Sequence, residues 1–86
     1  MNRQKYNISF ATYQQGVQIN SNCSDITFIN NGLTPCLIND NLSLAAGASL
    51  SITCQDNEID TTIYKLAFPS ATLVNNSVQV IKKNFV

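Results

Sequence analysis

Apolar residues in this chain recur at every second position, in short runs cut off by asparagine, glycine and proline. Leu50, Ile52 and Cys54 alternate with Ser49, Ser51 and Thr53, the clearest such run. A period of two is that of a strand with one face buried, because successive side chains point to opposite sides of a sheet. The same period joins Tyr6, Ile8 and Phe10 across Asn7 and Ser9, and Ile26 and Phe28 across Thr27. It returns in Tyr64, Leu66 and Phe68, and in Val78 and Val80. Helical spacing is nearly absent, and Ala45–Ala48 supplies one helical turn at most.

The breaks between runs carry turn chemistry. Asn30-Asn31-Gly32, Asn39-Asp40-Asn41 and Ala45-Ala46-Gly47-Ala48 place residues that tolerate positive φ between apolar segments. Pro35 belongs at a strand start or an edge, since it cannot donate to a ladder. Gln55-Asp56-Asn57 and Pro69-Ser70 mark further corners, and Asn75-Asn76 a hairpin tip. About seven or eight short strands without a helix predict an all-β fold, a small antiparallel β-sandwich or jelly-roll-like barrel. With 86 residues, one β domain spanning 1–86 is expected, residues 1–5 forming a flexible or partner-contacting arm. On the outward faces, this alternation expects Tyr6 and Tyr64 to point to the core and Tyr13 to solvent.

Charge narrows the function. Five basic and five acidic residues cancel, and charged residues make up 12% of the chain. Nucleic-acid binding needs a basic face to displace phosphate counterions, so none is expected. The polar, basic start Met1–Asn7 precedes no apolar run of the kind a signal peptide carries. No run approaches the roughly 20 residues that cross a bilayer, so neither secretion by the common route nor direct membrane insertion is expected. Twelve asparagines and many serines and threonines leave a polar, uncharged surface with little charge repulsion between copies. Strands without lysine guards are open edges. Self-association, or docking into a larger assembly, is therefore expected over a free monomer.

Chemistry-bearing groups are sparse. The chain has no histidine, which removes the usual general base and transition-metal ligand. Serine nucleophiles would then rely on Lys65, Lys82 or Lys83, with no recognisable signature around them. Cys23, Cys36 and Cys54 form no C-x-x-C pair. They read as reduced, core-filling thiols, one disulfide being the competing arrangement. Asp56, Glu58 and Asp60 would share a face of an extended strand and are weak Ca²⁺ candidates; a solvated loop ending in a turn at Asp60 or Thr61 is the alternative. No cofactor, no metal site and no enzymatic activity are expected. Glycan binding stacks a sugar ring on an exposed aromatic face, for which Tyr13 is the candidate. Arg3 and Lys5 at one terminus and Phe85 and Val86 at the other are candidates, with Tyr13, for contacts to partners.

Three stretches carry a resemblance. Asp25–Asn39 contains the Asn30-Asn31-Gly32 turn, Leu42–Ile52 contains an L-x-x-G-x-S motif over Leu44–Ser49, and Glu58–Phe68 contains E-I-D-x-T-x-Y over Glu58–Tyr64. Together, over about half the chain, this order resembles small asparagine-rich β-sandwich structural proteins of bacteriophage virions. Ala46 stands where such proteins more often have proline, and Cys36 where they have a plain aliphatic residue. The resemblance implies a minor capsid, decoration, vertex or spike-base protein, assembled in the host cytoplasm and located in the virion. Its partners would be its own copies and other virion proteins. A binding module for a glycan or cell-surface receptor is the alternative reading.

Overall fold

Alternation becomes sheet because each run offers one apolar face to bury and one polar face to hydrate. The computed structural model describes residues 6–54, 58–69 and 75–85, the Phe85 side chain excepted. Among them run eight strands: β1 (Tyr6–Tyr13), β2 (Val17–Asn20), β3 (Asp25–Asn30), β4 (Cys36–Ile38), β5 (Leu42–Leu44), β6 (Ser49–Thr53), β7 (Ile63–Ala67) and β8 (Val78–Phe85). All pairings are antiparallel. They build two four-stranded sheets, ordered β1-β8-β3-β6 and β2-β7-β4-β5.

The partners β1 with β8, β2 with β7, β3 with β6, and β4 with β5 nest inside one another. The chain is thus one long hairpin wrapped around a core, the strand order of an eight-stranded jelly roll. At the tip of that hairpin Asn39 and Asp40 have φ of 55° and 56°. The Asn41 N–H donates to the Ile38 carbonyl at 3.2 Å, closing a turn of the primed kind that suits twisted strands. Gly47, at φ 82°, lets the Ala48 N–H reach the Ala45 carbonyl at 3.0 Å and turns the chain into β6.

The inward face gathers Ile26 and Phe28 of β3 with Val78 and Val80 of β8 in one sheet. Facing them are Ile19, Cys36, Ile38, Leu44, Tyr64 and Leu66 of the other sheet. Leu50, Ile52, Val17, Tyr13, Ala48 and Phe68 close the margins. Across the gap the Phe28 and Tyr64 rings meet edge to face, with centroids 5.2 Å apart and planes at 64°. Cys23 and Cys36 are buried as small apolar fillers, as expected of reduced thiols, whereas Cys54 is only half-buried.

Three features differ from expectation. β7 and β8 lie in different sheets, so Asn75-Asn76 leads into β8 without forming a hairpin tip. β2 was not legible, because Val17 and Ile19 are too few to establish a period. More consequentially, β1 has the opposite phase. Ala11 and Tyr13 lie opposite Val80 and Val78, both buried, so the odd positions of β1 face inward. Tyr6, Ile8 and Phe10 therefore face solvent, and Tyr13 is half-buried against the core. An unbroken strand has one phase, and the register with β8 decides it.

The β3–β4 corner is held by buried amides. Asn30 is fully buried; its side-chain NH₂ donates to the Thr34 and Leu44 carbonyls, both at 2.9 Å, and its Oδ1 accepts from the Gly32 N–H at 3.1 Å. Thr34 Oγ1 donates to Asn76 Oδ1 at 2.6 Å, tying the corner to the segment before β8. At Gly32 the backbone is pressed against that segment: a Cβ would lie 2.6 Å from the Asn75 carbonyl oxygen and 2.7 Å from the Ser77 nitrogen. Gly32→Ala should lower stability by about 2 kcal/mol through this overlap. Gly47→Ala has open space around it and should cost about 1 kcal/mol from its positive φ alone. Urea midpoints at unchanged slope measure both, and the order of the two losses is the check.

Candidate functional site

Every open sheet has two edges, and this molecule manages three of its four. β5 and β2 are three- and four-residue edges. β6 has five residues, with Ser49, Ser51 and Thr53 on its outward face. Short, polar edges give a foreign strand little to pair with. The fourth edge, β1, has eight residues, is paired without a bulge to β8 throughout, and carries no charged residue and no proline. Its outward face presents Tyr6, Ile8 and Phe10 at 56%, 41% and 68% exposure.

The N-terminal half of β1 is open on both faces. Asn7 and Ser9, on the inward side, are exposed as well. They receive long hydrogen bonds from the Asn84 amide, at 3.4 and 3.3 Å. Outward, Ile81 of β8 stands opposite Phe10 and Lys83 opposite Ile8. The Lys83 ammonium lies 4.8 Å from the centre of the Tyr6 ring, a cation–π contact that covers part of that ring. The other exposed large apolar residues, Leu33, Leu42, Ile59 and Ile63, come from separate segments. β1 alone among the described residues combines an apolar stripe with an open ladder.

The other predicted groups fall elsewhere. Arg3, Lys5, Asp56 and Val86, and the side chain of Phe85, lie outside the described residues. Tyr13 is not the exposed aromatic that was expected; that place is taken by Tyr6 and Phe10. Glu58 is exposed, and Asp60 does not extend a strand with it: it forms an isolated bridge to Cys23. The Asp60 carboxylate is turned onto its own chain, with Oδ1 accepting from the Thr62 N–H at 2.8 Å and Oδ2 from the Tyr64 hydroxyl at 2.6 Å. This is an Asx turn at Asp60. Among the described residues no three His, Cys, Asp or Glu side chains are grouped to hold a metal ion. No pocket opens among them either.

Titration behaviour follows from these contacts. Partial burial pushes the Asp60 carboxyl up, but hydrogen bonds from Thr62, Tyr64 and Ser21 outweigh it and hold the carboxyl below its ordinary value. The Tyr64 phenol is pushed up to about 12, first by burial and then by its bond to Asp60. The three cysteines are free thiols. Burial raises Cys23 and Cys36, and burial followed by the Asp60, Glu58 and Asp25 carboxylates raises Cys54. A thiol raised in this way stays protonated at neutral pH and is a poor nucleophile.

Tyr64→Phe should remove about 1–2 kcal/mol at neutral pH, the scale of a partly exposed bond to a carboxylate. Asp60 is depressed in the folded state, so its contribution is present above its unfolded value of 3.8 and lost as pH falls through the lower folded value. The gap between wild type and Tyr64→Phe should therefore narrow in acid. Tyr64 is raised, so wild type should also lose stability as pH climbs from 10 toward 12, and the variant should lack that loss. Urea unfolding across the pH range reads both arms. No family of known proteins, curated protein or solved structure matches this chain.

Proposed function

We propose that this chain is a non-enzymatic structural component of a bacteriophage virion, a minor capsid, decoration, vertex or spike-base protein that acts through subunit–subunit contacts. The observation that carries the proposal is β1: an eight-residue, uncharged edge strand that exposes Tyr6, Ile8 and Phe10. Long unguarded apolar edges are hazards in free monomers and useful in assemblies, where a neighbour completes the ladder. The jelly-roll strand order supports the reading at the level of analogy, since viral capsid domains and lectin domains share it.

The runner-up is a small module that binds a glycan or a cell-surface receptor. Its support is the Phe10 ring, 68% exposed and available for stacking against a sugar face.

Light scattering coupled to size exclusion, with and without Ca²⁺, tests the proposal. The expected result is a mass at a whole multiple of 9.4 kDa, insensitive to Ca²⁺ and to a panel of soluble glycans. The chain should also be found in gradient-purified phage particles by mass spectrometry. A monomer that binds a glycan saturably, and is missing from particles, would replace this reading with the module.

A further inference from the structure

The partner that fits β1 is a second copy of β1. We infer that two molecules pair their β1 strands antiparallel about a two-fold axis near Ser9, joining two four-stranded sheets into one of eight. The inference deepens the assembly reading above and rests on it.

Three observations select this occupant. First, Tyr6–Tyr13 holds no charge of its own, so a copy paired strand to strand sets no like charges directly opposite one another; the Lys83 cation stands on β8, over the Tyr6 ring. Second, the strand is self-complementary. An axis through Ser9, perpendicular to the sheet, sets Ile8 opposite Phe10 of the second copy and Tyr6 opposite its Thr12. Tyr6, Ile8 and Phe10 of both copies then form one continuous outward stripe, and the odd positions remain inward. Every second residue of an antiparallel edge turns its N–H and C=O away from its existing neighbour, and these groups complete the new ladder. The pairing keeps the antiparallel sense of every other pair in the molecule.

Third, the area is adequate for a reversible dimer. An aromatic side chain buries roughly 150–250 Å². At 56% and 68% exposure, Tyr6 and Phe10 each show on the order of 100 Å² to solvent. Edge pairing buries the two eight-residue edges and the flanks of four rings and two isoleucines, whose outer faces stay in solvent. The contact therefore lies under the ~1,000 Å² of a stable interface and within the range of weak, transient ones. The dimer is thus concentration-dependent in isolation and becomes permanent only among further contacts.

Sedimentation equilibrium of the full chain over a wide concentration range reads the dimer directly. Phe10→Lys and Ser9→Lys change exposed positions and should leave the fold intact. Each appears twice across the axis, so each should weaken dimerisation by about tenfold or more. In a Cys54→Ser background, Ser9→Cys should give a covalent dimer with oxidised glutathione, since directly opposed residues sit about 4.5–5.5 Å apart at Cα, within disulfide range. Asn7→Cys, opposite Ala11 of the other copy in this register, should not. A wild-type dimer that ignores both lysines and does not cross-link through Ser9→Cys overturns the β1 pairing while leaving self-assembly standing. A wild type that stays monomeric at every concentration overturns both the pairing and self-contact as the working principle of the protein.

Discussion

The contact between Phe28 and Tyr64 is the one on which both sheets depend. Phe28 stands on β3, the strand flanked by β8 and β6, and Tyr64 on β7, flanked by β2 and β4. Their rings meet edge to face in the centre of the core, so each fixes the rotamer of the other and with it the spacing of the sheets. The Tyr64 hydroxyl then reaches out of the core to Asp60, and Ser21 donates to the Asp60 and Thr62 carbonyls at 2.5 and 2.8 Å. A hydrophobic contact is thereby continued into the loop that closes one end of the sandwich. Removing the phenol breaks a chain of contacts that runs from the first sheet through the second to the β2–β3 connection.

Asparagine does at the corners what charge does on the surface of other small domains. Asn22 and Asn39 take positive φ, which asparagine tolerates better than most residues. Asn39 also latches its hairpin tip to β7, donating to the Lys65 carbonyl at 2.8 Å and accepting the Lys65 N–H at 2.7 Å. Asn30 is buried with its side-chain groups bonded. Among the described residues no buried polar side-chain atom lacks a partner. The Lys65–Asp40 ion pair beside that tip is exposed on both sides and adds little. The corners are therefore held by amide networks that salt screens little, and the surface is left neutral. In the proposed dimer, that neutrality lets two copies approach along β1.

Much of the architecture was legible in the order of residues. Leu50 and Ile52 against Ser49 and Ser51 fixed the inward face of β6, because a serine-threonine face has nowhere to go but solvent. Asn39-Asp40 and Gly47 announced their turns because few other residues accept those φ values. The phase of β1 was not legible. Tyr6, Ile8 and Phe10 make as good an apolar stripe as any in the chain, and only the register with β8 shows that they face outward. A stripe that looks like core and lies on the surface is the signal that local alternation cannot separate from a buried strand. For Asp60, period-two spacing allowed a face shared with Glu58 and turn chemistry allowed a turn at Asp60 or Thr61; the local Asx turn claimed its carboxylate. Strand order was beyond reach for a different reason, since nesting of β1 with β8 depends on contacts between the two ends of the chain.

The account stands on β1 as the contact surface. Residue-resolved amide hydrogen exchange of the wild-type chain, dilute and concentrated, tests it most directly. The account predicts that alternate amides of β1, those turned away from β8, exchange freely in dilute solution and become protected as concentration rises, while the β6 edge does not change. Alternate β1 amides that stay equally unprotected at all concentrations would contradict it.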